Sequence, residues 1–229
     1  IYERRGRGEV NIVAVAGDGA TADCGFQSLS GAAERGEKML YVCYDNEGYM
    51  NTGYQRSSTT TEGSRTSTTP LGSAISGKQQ AQKYVPLILA MHGVEYCATA
   101  TPWNMRDMVE KIENGLAASK RGFAYLHVFT PCPTGWSFPP DQTVEVSKLA
   151  VKSNMFPLWE CSGGKYTLNY KNPEPMPVSE FVKGIGKFKK LSAEQLASVQ
   201  RAADERYAVV SALAAICAQK RAPAGDTLR

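Results

Sequence analysis

The sequence predicts an α/β fold, a mostly parallel sheet flanked by helices. Apolar runs of strand length recur at 10–16, 39–44, 94–98 and 123–129. Segments with apolar residues at helical spacing separate them. A helix between two strands implies a right-handed crossover, which makes the strands parallel. Their carboxyl ends then share one edge, where open α/β sheets bind ligands.

Residues 10–16 are apolar and rich in β-branched side chains, as in a buried strand. Gly17-Asp18-Gly19 follows, and its glycines permit a tight turn against a ligand. Residues 21–36 place Phe26, Leu29 and Ala33 at helical spacing. A helix starting near Thr21 would aim free N–H groups and its positive dipole end at that turn, which suits phosphate. The strand at 39–44 runs into Asp45-Asn46-Glu47-Gly48.

Residues 57–77, rich in Ser, Thr and Gly, are predicted to form a long loop. Such a loop inside a compact domain is usually functional or disordered. A helix over 78–92 and the strand at 94–98 come next. The helix predicted over 104–119 carries Met105, Met108, Ile112 and Leu116 on one face. The strand 123–129 ends at Thr130-Pro131-Cys132. A helix over 141–153 and a hairpin of 155–160 with 165–169 complete an α/β domain over 1–170. Prolines 173, 175 and 177 break regular structure in the extension, 171–229. Its helix over 192–219 has Ser192 as N-cap, with Glu194 and Gln195 in the first turn. Packing against the body or a neighbouring subunit is its expected role.

The two strand-end loops carry the chemistry. Magnesium takes hard oxygen ligands in an octahedron and often shares them with phosphates. Asp18 offers a carboxylate, Asn46 a side-chain carbonyl and Gly48 a backbone carbonyl. Two diphosphate oxygens and a water would complete the shell. The pattern points to a thiamine diphosphate enzyme.

Three stretches carry a more specific resemblance. Residues 17–32 begin Gly17-Asp18-Gly19-Ala20-Thr21-Ala22-Asp23. Residues 44–57 include Tyr44-Asp45-Asn46-Glu47-Gly48-Tyr49-Met50-Asn51-Thr52-Gly53. The third is Thr130-Pro131-Cys132-Pro133-Thr134-Gly135-Trp136. Together they resemble the β subunit of the pyruvate (2-oxoacid):ferredoxin oxidoreductases, over about residues 10–158. Cys24 departs from the family, which more often has an aliphatic residue there.

The resemblance implies oxidative decarboxylation of a 2-oxoacid, with electrons passing to an iron–sulfur cluster and then ferredoxin. Pyruvate is the default substrate. Branched 2-oxoacids, 2-oxoglutarate and oxalate, as in oxalate oxidoreductases, remain alternatives, with coenzyme A a candidate co-substrate. It adds Gly19, Ala20, Tyr49 and Thr52 as cofactor contacts, Asn51 as a polar group near the thiazolium and substrate, and Cys132 as a [4Fe–4S] ligand. Loop 57–77 is expected to cover the cofactor and face a partner subunit. The family's activating glutamate has no match here. Its three other cluster cysteines are expected upstream, in a segment preceding Ile1. Competing classes are a non-oxidative thiamine diphosphate decarboxylase or carboligase, and a non-catalytic subunit. Neither explains Cys132 together with an intact Asp18, Asn46 and Asn51.

Composition sets outer bounds. A net charge of +4 over 229 residues is too small and too evenly spread to point to nucleic acid. No apolar run approaches the roughly 20 residues that span a bilayer, and no signal peptide is expected before the first strand. The six cysteines lack Cys-x-x-Cys spacing, which suggests a reduced, cytoplasmic protein. Cys43, Cys97, Cys217, His92 and His127 are expected to be structural. Cys161, placed in the hairpin turn, is the rival of Cys132 for the cluster.

Overall fold

The structure, a computed structural model, describes residues 5–219. Six strands form one sheet in the order β1-β2-β4-β3-β5-β6. Strands β1 (Val13–Gly17), β2 (Met39–Asp45), β3 (Tyr96–Ala100) and β4 (Phe123–Phe129) are parallel. Strands β5 (Trp159–Ser162) and β6 (Lys165–Leu168) extend the sheet antiparallel. The mostly parallel α/β architecture is therefore as the sequence predicts. β4 lies between β2 and β3, a spatial order that crossover chirality alone does not dictate.

Helices α1 (Phe26–Glu34), α2 (Val85–Ala90), α3 (Met105–Ser119), α4 (Pro133–Trp136) and α5 (Thr143–Lys152) fill the connections. Beyond the sheet lie α6 (Val178–Val182) and the 27-residue α7 (Ala193–Gln219). Trp136, Phe138, Phe156, Phe181 and Phe188 share one apolar cluster with Val199 and Ala203 of α7. Fully burying such a side chain contributes about 1.5–3 kcal/mol, so the extension is welded to the body. No described helix is long and apolar enough to cross a membrane.

Four boundaries differ from the sequence expectation. β1 starts at Val13, and Val10 and Ile12 are exposed. The chain turns helical already at Asp18, winds through a five-residue π-helical segment, Ala20–Cys24, and breaks at Gly25 before α1. Helix α2 covers only Val85–Ala90 because Pro86 fits only in a first helical turn; residues 78–84 are held by polar contacts instead. The hairpin turn is Gly163-Gly164, both with positive φ, as a two-residue hairpin demands. Cys161 therefore lies inside β5, buried and opposite Cys97.

The register puts three loops side by side. Gly17 pairs with Tyr44, and Asp45 with Phe129. Asp18, Asn46 and Cys132 thus follow three adjacent strands at one sheet edge.

Candidate active site

Asp18, at the first turn after β1, is almost fully buried. The end of the Asn46 side chain lies 3.1 Å from Asp18 Oδ1 and 2.8 Å from the Gly48 carbonyl oxygen. An amide nitrogen there would donate to both oxygens. An amide oxygen there would face two other oxygens, which a shared cation would reconcile. Both separations match the roughly 3 Å edge of an octahedron with magnesium–oxygen bonds of about 2.1 Å. The donor set fits magnesium: one carboxylate, one amide and one backbone carbonyl. Among the described residues, no three His, Cys, Asp or Glu side chains gather as a metal site.

The other carboxylate oxygen of Asp18 accepts from Ser57 Oγ and, at 3.0 Å, from Thr59 Oγ1. Burial, together with the nearby Asp45 charge, pushes Asp18 up to about 7 despite these hydroxyls. Asp45 ends β2 and is itself buried. It accepts from Thr59 Oγ1 at 2.9 Å and the Glu47 N–H at 2.8 Å. Its second oxygen pairs with His127 Nε2 at 2.8 Å, and His127 Nδ1 bonds the Tyr125 hydroxyl at 2.6 Å. Burial alone would raise Asp45; the hydrogen bond and charge of His127 outweigh it and hold Asp45 below the usual carboxylate range. His127 is buried, stacked on Phe156, with both ring nitrogens hydrogen-bonded. His92 bonds Ser30 Oγ at 3.0 Å.

The remaining expected site residues divide. Tyr49 packs on Gly19, where a Cβ would strike its ring, and its hydroxyl donates to the Gly19 carbonyl at 3.0 Å. Ala20 is exposed in the π-helical segment. The N–H groups opening such a turn have no intrahelical partner. Asn51 and Cys132 line one cleft of about 510 Å³, with Met50, Tyr54, Arg65 and Lys187. Thr52 turns its hydroxyl to Gln55 Oε1, 2.5 Å away, and is exposed.

Loop 57–77 is ordered around the site. Ser57, Thr59, Thr60, Thr61, Ser64 and Thr66 are buried. Thr60 Oγ1 donates to the Glu47 carbonyl at 2.7 Å, and Thr61 donates its N–H and hydroxyl to Glu47 Oε2. Lys78 Nζ donates to the Ser58 carbonyl at 3.1 Å and to that of Thr60, and its burial lowers it to about 8. Lys187 forms a fully buried ion pair with Glu47, Nζ to Oε2 2.7 Å. Sequence reasoning missed Glu47, Lys187 and the Asp45–His127 pair. Glu47 stands beside Asn46 in the motif, which is a signal; Lys187, 140 residues on, has none.

Residues 4–128 match the family described as thiamine pyrophosphate enzyme, C-terminal TPP binding domain. The chain belongs to that class. It is 48% identical over 206 residues to the β subunit of an NADH-dependent phenylglyoxylate dehydrogenase from Aromatoleum evansii, a match spanning 87% of this chain and 45% of that one. It is 47% identical over 200 residues to pyruvate synthase subunit PorB from Methanothermobacter marburgensis, covering 87% of this chain and 69% of the relative. Against ketoisovalerate oxidoreductase subunit VorB from Pyrococcus furiosus, identity is 40% over 217 residues, with 94% and 69% covered. Within the class, the chain is a member of the β-subunit family of the 2-oxoacid:ferredoxin oxidoreductases. A solved 2-oxoglutarate:ferredoxin oxidoreductase from Magnetococcus marinus shares the fold, with a TM-score of 0.54 at 24% identity over 90% of this chain and 65% of that one.

Proposed function

We propose that this chain is the catalytic thiamine diphosphate-binding subunit of a cytoplasmic, multi-subunit 2-oxoacid:ferredoxin oxidoreductase, with pyruvate as the default substrate. The convergence of Asp18, Asn46 and the Gly48 carbonyl at 2.8–3.1 Å carries the reading. These three would hold a magnesium ion, which would supply charge to bind the cofactor's diphosphate. Ser57 and Thr59 fix the Asp18 carboxylate in place. Tyr49 props the turn at Gly19 and Ala20 against that diphosphate, while Thr52, through Gln55, stabilises the loop that presents Asn51. When bound, thiamine diphosphate supplies the carbanion chemistry that releases carbon dioxide from a 2-oxoacid. Asn51, which lines the cleft, would hydrogen-bond the substrate. The buried hydroxyl loop keeps water from the acidic cluster.

Cys132 favours the oxidative reaction over a decarboxylase or carboligase. It follows β4, the strand beside the one that leads into the Asn46 loop, and lines the cleft with Asn51. Its thiolate would serve as one ligand of a [4Fe–4S] cluster, which such thiolates hold. The names of the relatives, which span pyruvate, ketoisovalerate and phenylglyoxylate, support a 2-oxoacid substrate. Coenzyme A and ferredoxin complete the proposed reaction as acyl and electron acceptors.

The test is a 2-oxoacid panel with ferredoxin or a viologen dye, run on the chain assembled with its partner subunits and on the chain alone. Turnover is expected only in the assembly. Aldehyde release without dye reduction would transfer the reading to the non-oxidative class.

A further inference from the structure

Glu47 lies between two of the oxygen-bearing residues, Asn46 and Gly48, and its backbone is left-handed at φ 59°. A residue other than glycine holds that conformation only where its surroundings over-determine it. Here the surroundings are donors. Thr61 gives Oε2 two hydrogen bonds, Gln82 Nε2 reaches Oε1 at 3.2 Å, and Lys187 Nζ closes on Oε2 at 2.7 Å. The Lys187 ammonium also sits 3.0 Å from the centre of the Trp136 ring, whose Nε1–H donates to the Asn46 carbonyl at 2.8 Å. One buried cation thus touches the two groups that grip the loop, at Glu47 and at Asn46. Its own backbone is pinned: Arg65 N–H donates to the Lys187 carbonyl at 2.8 Å, and Gly186 N–H to the Ser137 carbonyl at 3.1 Å.

We propose that Lys187, delivered by the C-terminal extension, is a positioning residue that sets divalent-cation affinity by clamping Glu47 and Trp136, so that Asn46 and Gly48 face Asp18. The inference rests on the magnesium–diphosphate reading of this site. It gives the extension a role at a centre whose proposed magnesium ligands, Asp18, Asn46 and Gly48, all lie in the first quarter of the chain. Partners standing behind metal ligands change affinity by about 10–100-fold when removed, and the clamp belongs to that group.

The experiment is magnesium titration calorimetry on the full chain at saturating thiamine diphosphate, with the melting temperature measured without added cation. Lys187→Met should weaken magnesium by about 10–100-fold. Trp136→Phe keeps an aromatic ring but removes the hydrogen bond to Asn46 and shrinks the ring face beside Lys187, and should weaken magnesium by about fivefold or more. Adding Glu47→Gln to Lys187→Met removes the unpaired charge and should recover melting temperature while affinity stays low. A merely structural lysine would recover both, and that result overturns the proposal, as does unaltered affinity in Trp136→Phe or in a folded Lys187→Met. If Lys187→Met does not fold, the double variant and Trp136→Phe decide. No magnesium-dependent thiamine diphosphate binding by the unaltered chain would instead remove the underlying reading.

Discussion

Asp18 and Asp45, two buried carboxylates at the ends of adjacent strands, share the hydroxyl of Thr59, which lies 3.0 Å from one and 2.9 Å from the other. A hydroxyl carries one proton and donates to one carboxylate at a time. His127 settles the competition by pairing with Asp45. Among the described residues, Asp18 is left with hydroxyl donors and no cationic side chain in its hydrogen bonds, and burial then favours its neutral form. A divalent cation beside Asp18 Oδ1 reverses that preference.

The first prediction is that Asp18→Ala abolishes magnesium-dependent retention of thiamine diphosphate. Thr59→Val, which removes only the shared hydroxyl, should weaken magnesium by about 10–100-fold. Calorimetry on both variants checks this; unchanged cofactor binding in Asp18→Ala would sink the site.

A pH dependence follows from the same carboxylate. Asp18 titrates near 7 in the folded chain, against 3.8 ordinarily. Cation binding needs the ionised form, so magnesium affinity should rise with pH through about 7 and level off above it, with a proton released on binding below that point. The cation-free chain should behave oppositely. Stability due to the neutral Asp18 is fully present below about 3.8 and is lost as pH rises through about 7. Calorimetry in buffers of different ionisation enthalpy counts the proton, and denaturant melts follow the stability. Magnesium affinity flat between pH 5 and 8 would contradict the assignment.

His127 holds the neighbouring charge. Burial opposes the charged ring, but Cys43 and Asp45 outweigh it and push His127 up to about 10. Its contribution to stability is fully present below about 6.5 and should be lost as pH rises through about 10. His127→Phe leaves the Asp45 carboxylate buried without its cation, which costs about 3–5 kcal/mol. Chemical denaturation at pH 7 measures this directly, and a loss below about 1 kcal/mol would mean that His127 is not the counter-charge.

The sheet edge was legible from residue order because apolar runs lead into polar loops at Asp18, Asn46 and Cys132, and a strand–helix–strand chain leaves such loops on one side. Loop 57–77 was legible as a loop from its Ser, Thr and Gly content. What hid was its pairing. Serine and threonine read as turn formers, and nothing local says that Ser57 and Thr59 face a carboxylate. Lys187 resembles any solvated lysine until Trp136 and Glu47 surround it. Pro86 was the signal against a long helix at 78–92. Cys161 was misplaced because β5 runs on to Ser162, so the turn begins at Gly163, two residues beyond the start expected from a first strand ending at Glu160.

The last prediction separates Cys132 from Cys161. Cys132 caps the short helix α4 directly after Pro131, is partly exposed, and opens into the cleft with Asn51. Pro131 and Pro133 restrict the backbone on either side, so the sulfur has a fixed position on the same sheet edge as Asp18 and Asn46. Cys161 is enclosed between Cys97 and Tyr166 within the sheet, and burial pushes its thiol up. A thiol held protonated is a poor metal ligand, because the thiolate binds iron. In the assembled complex, Cys132→Ala should remove or convert one [4Fe–4S] signal in the low-temperature EPR spectrum, lower the iron content and slow ferredoxin reduction. Cys161→Ala should leave the spectrum intact and cost about 1 kcal/mol of stability for a buried group replaced by a slightly smaller one. An unaltered spectrum in the first variant, with full ferredoxin reduction, would eliminate Cys132 as a ligand, and a spectrum altered only in the second would move the cluster to a site that the sheet, as folded, encloses.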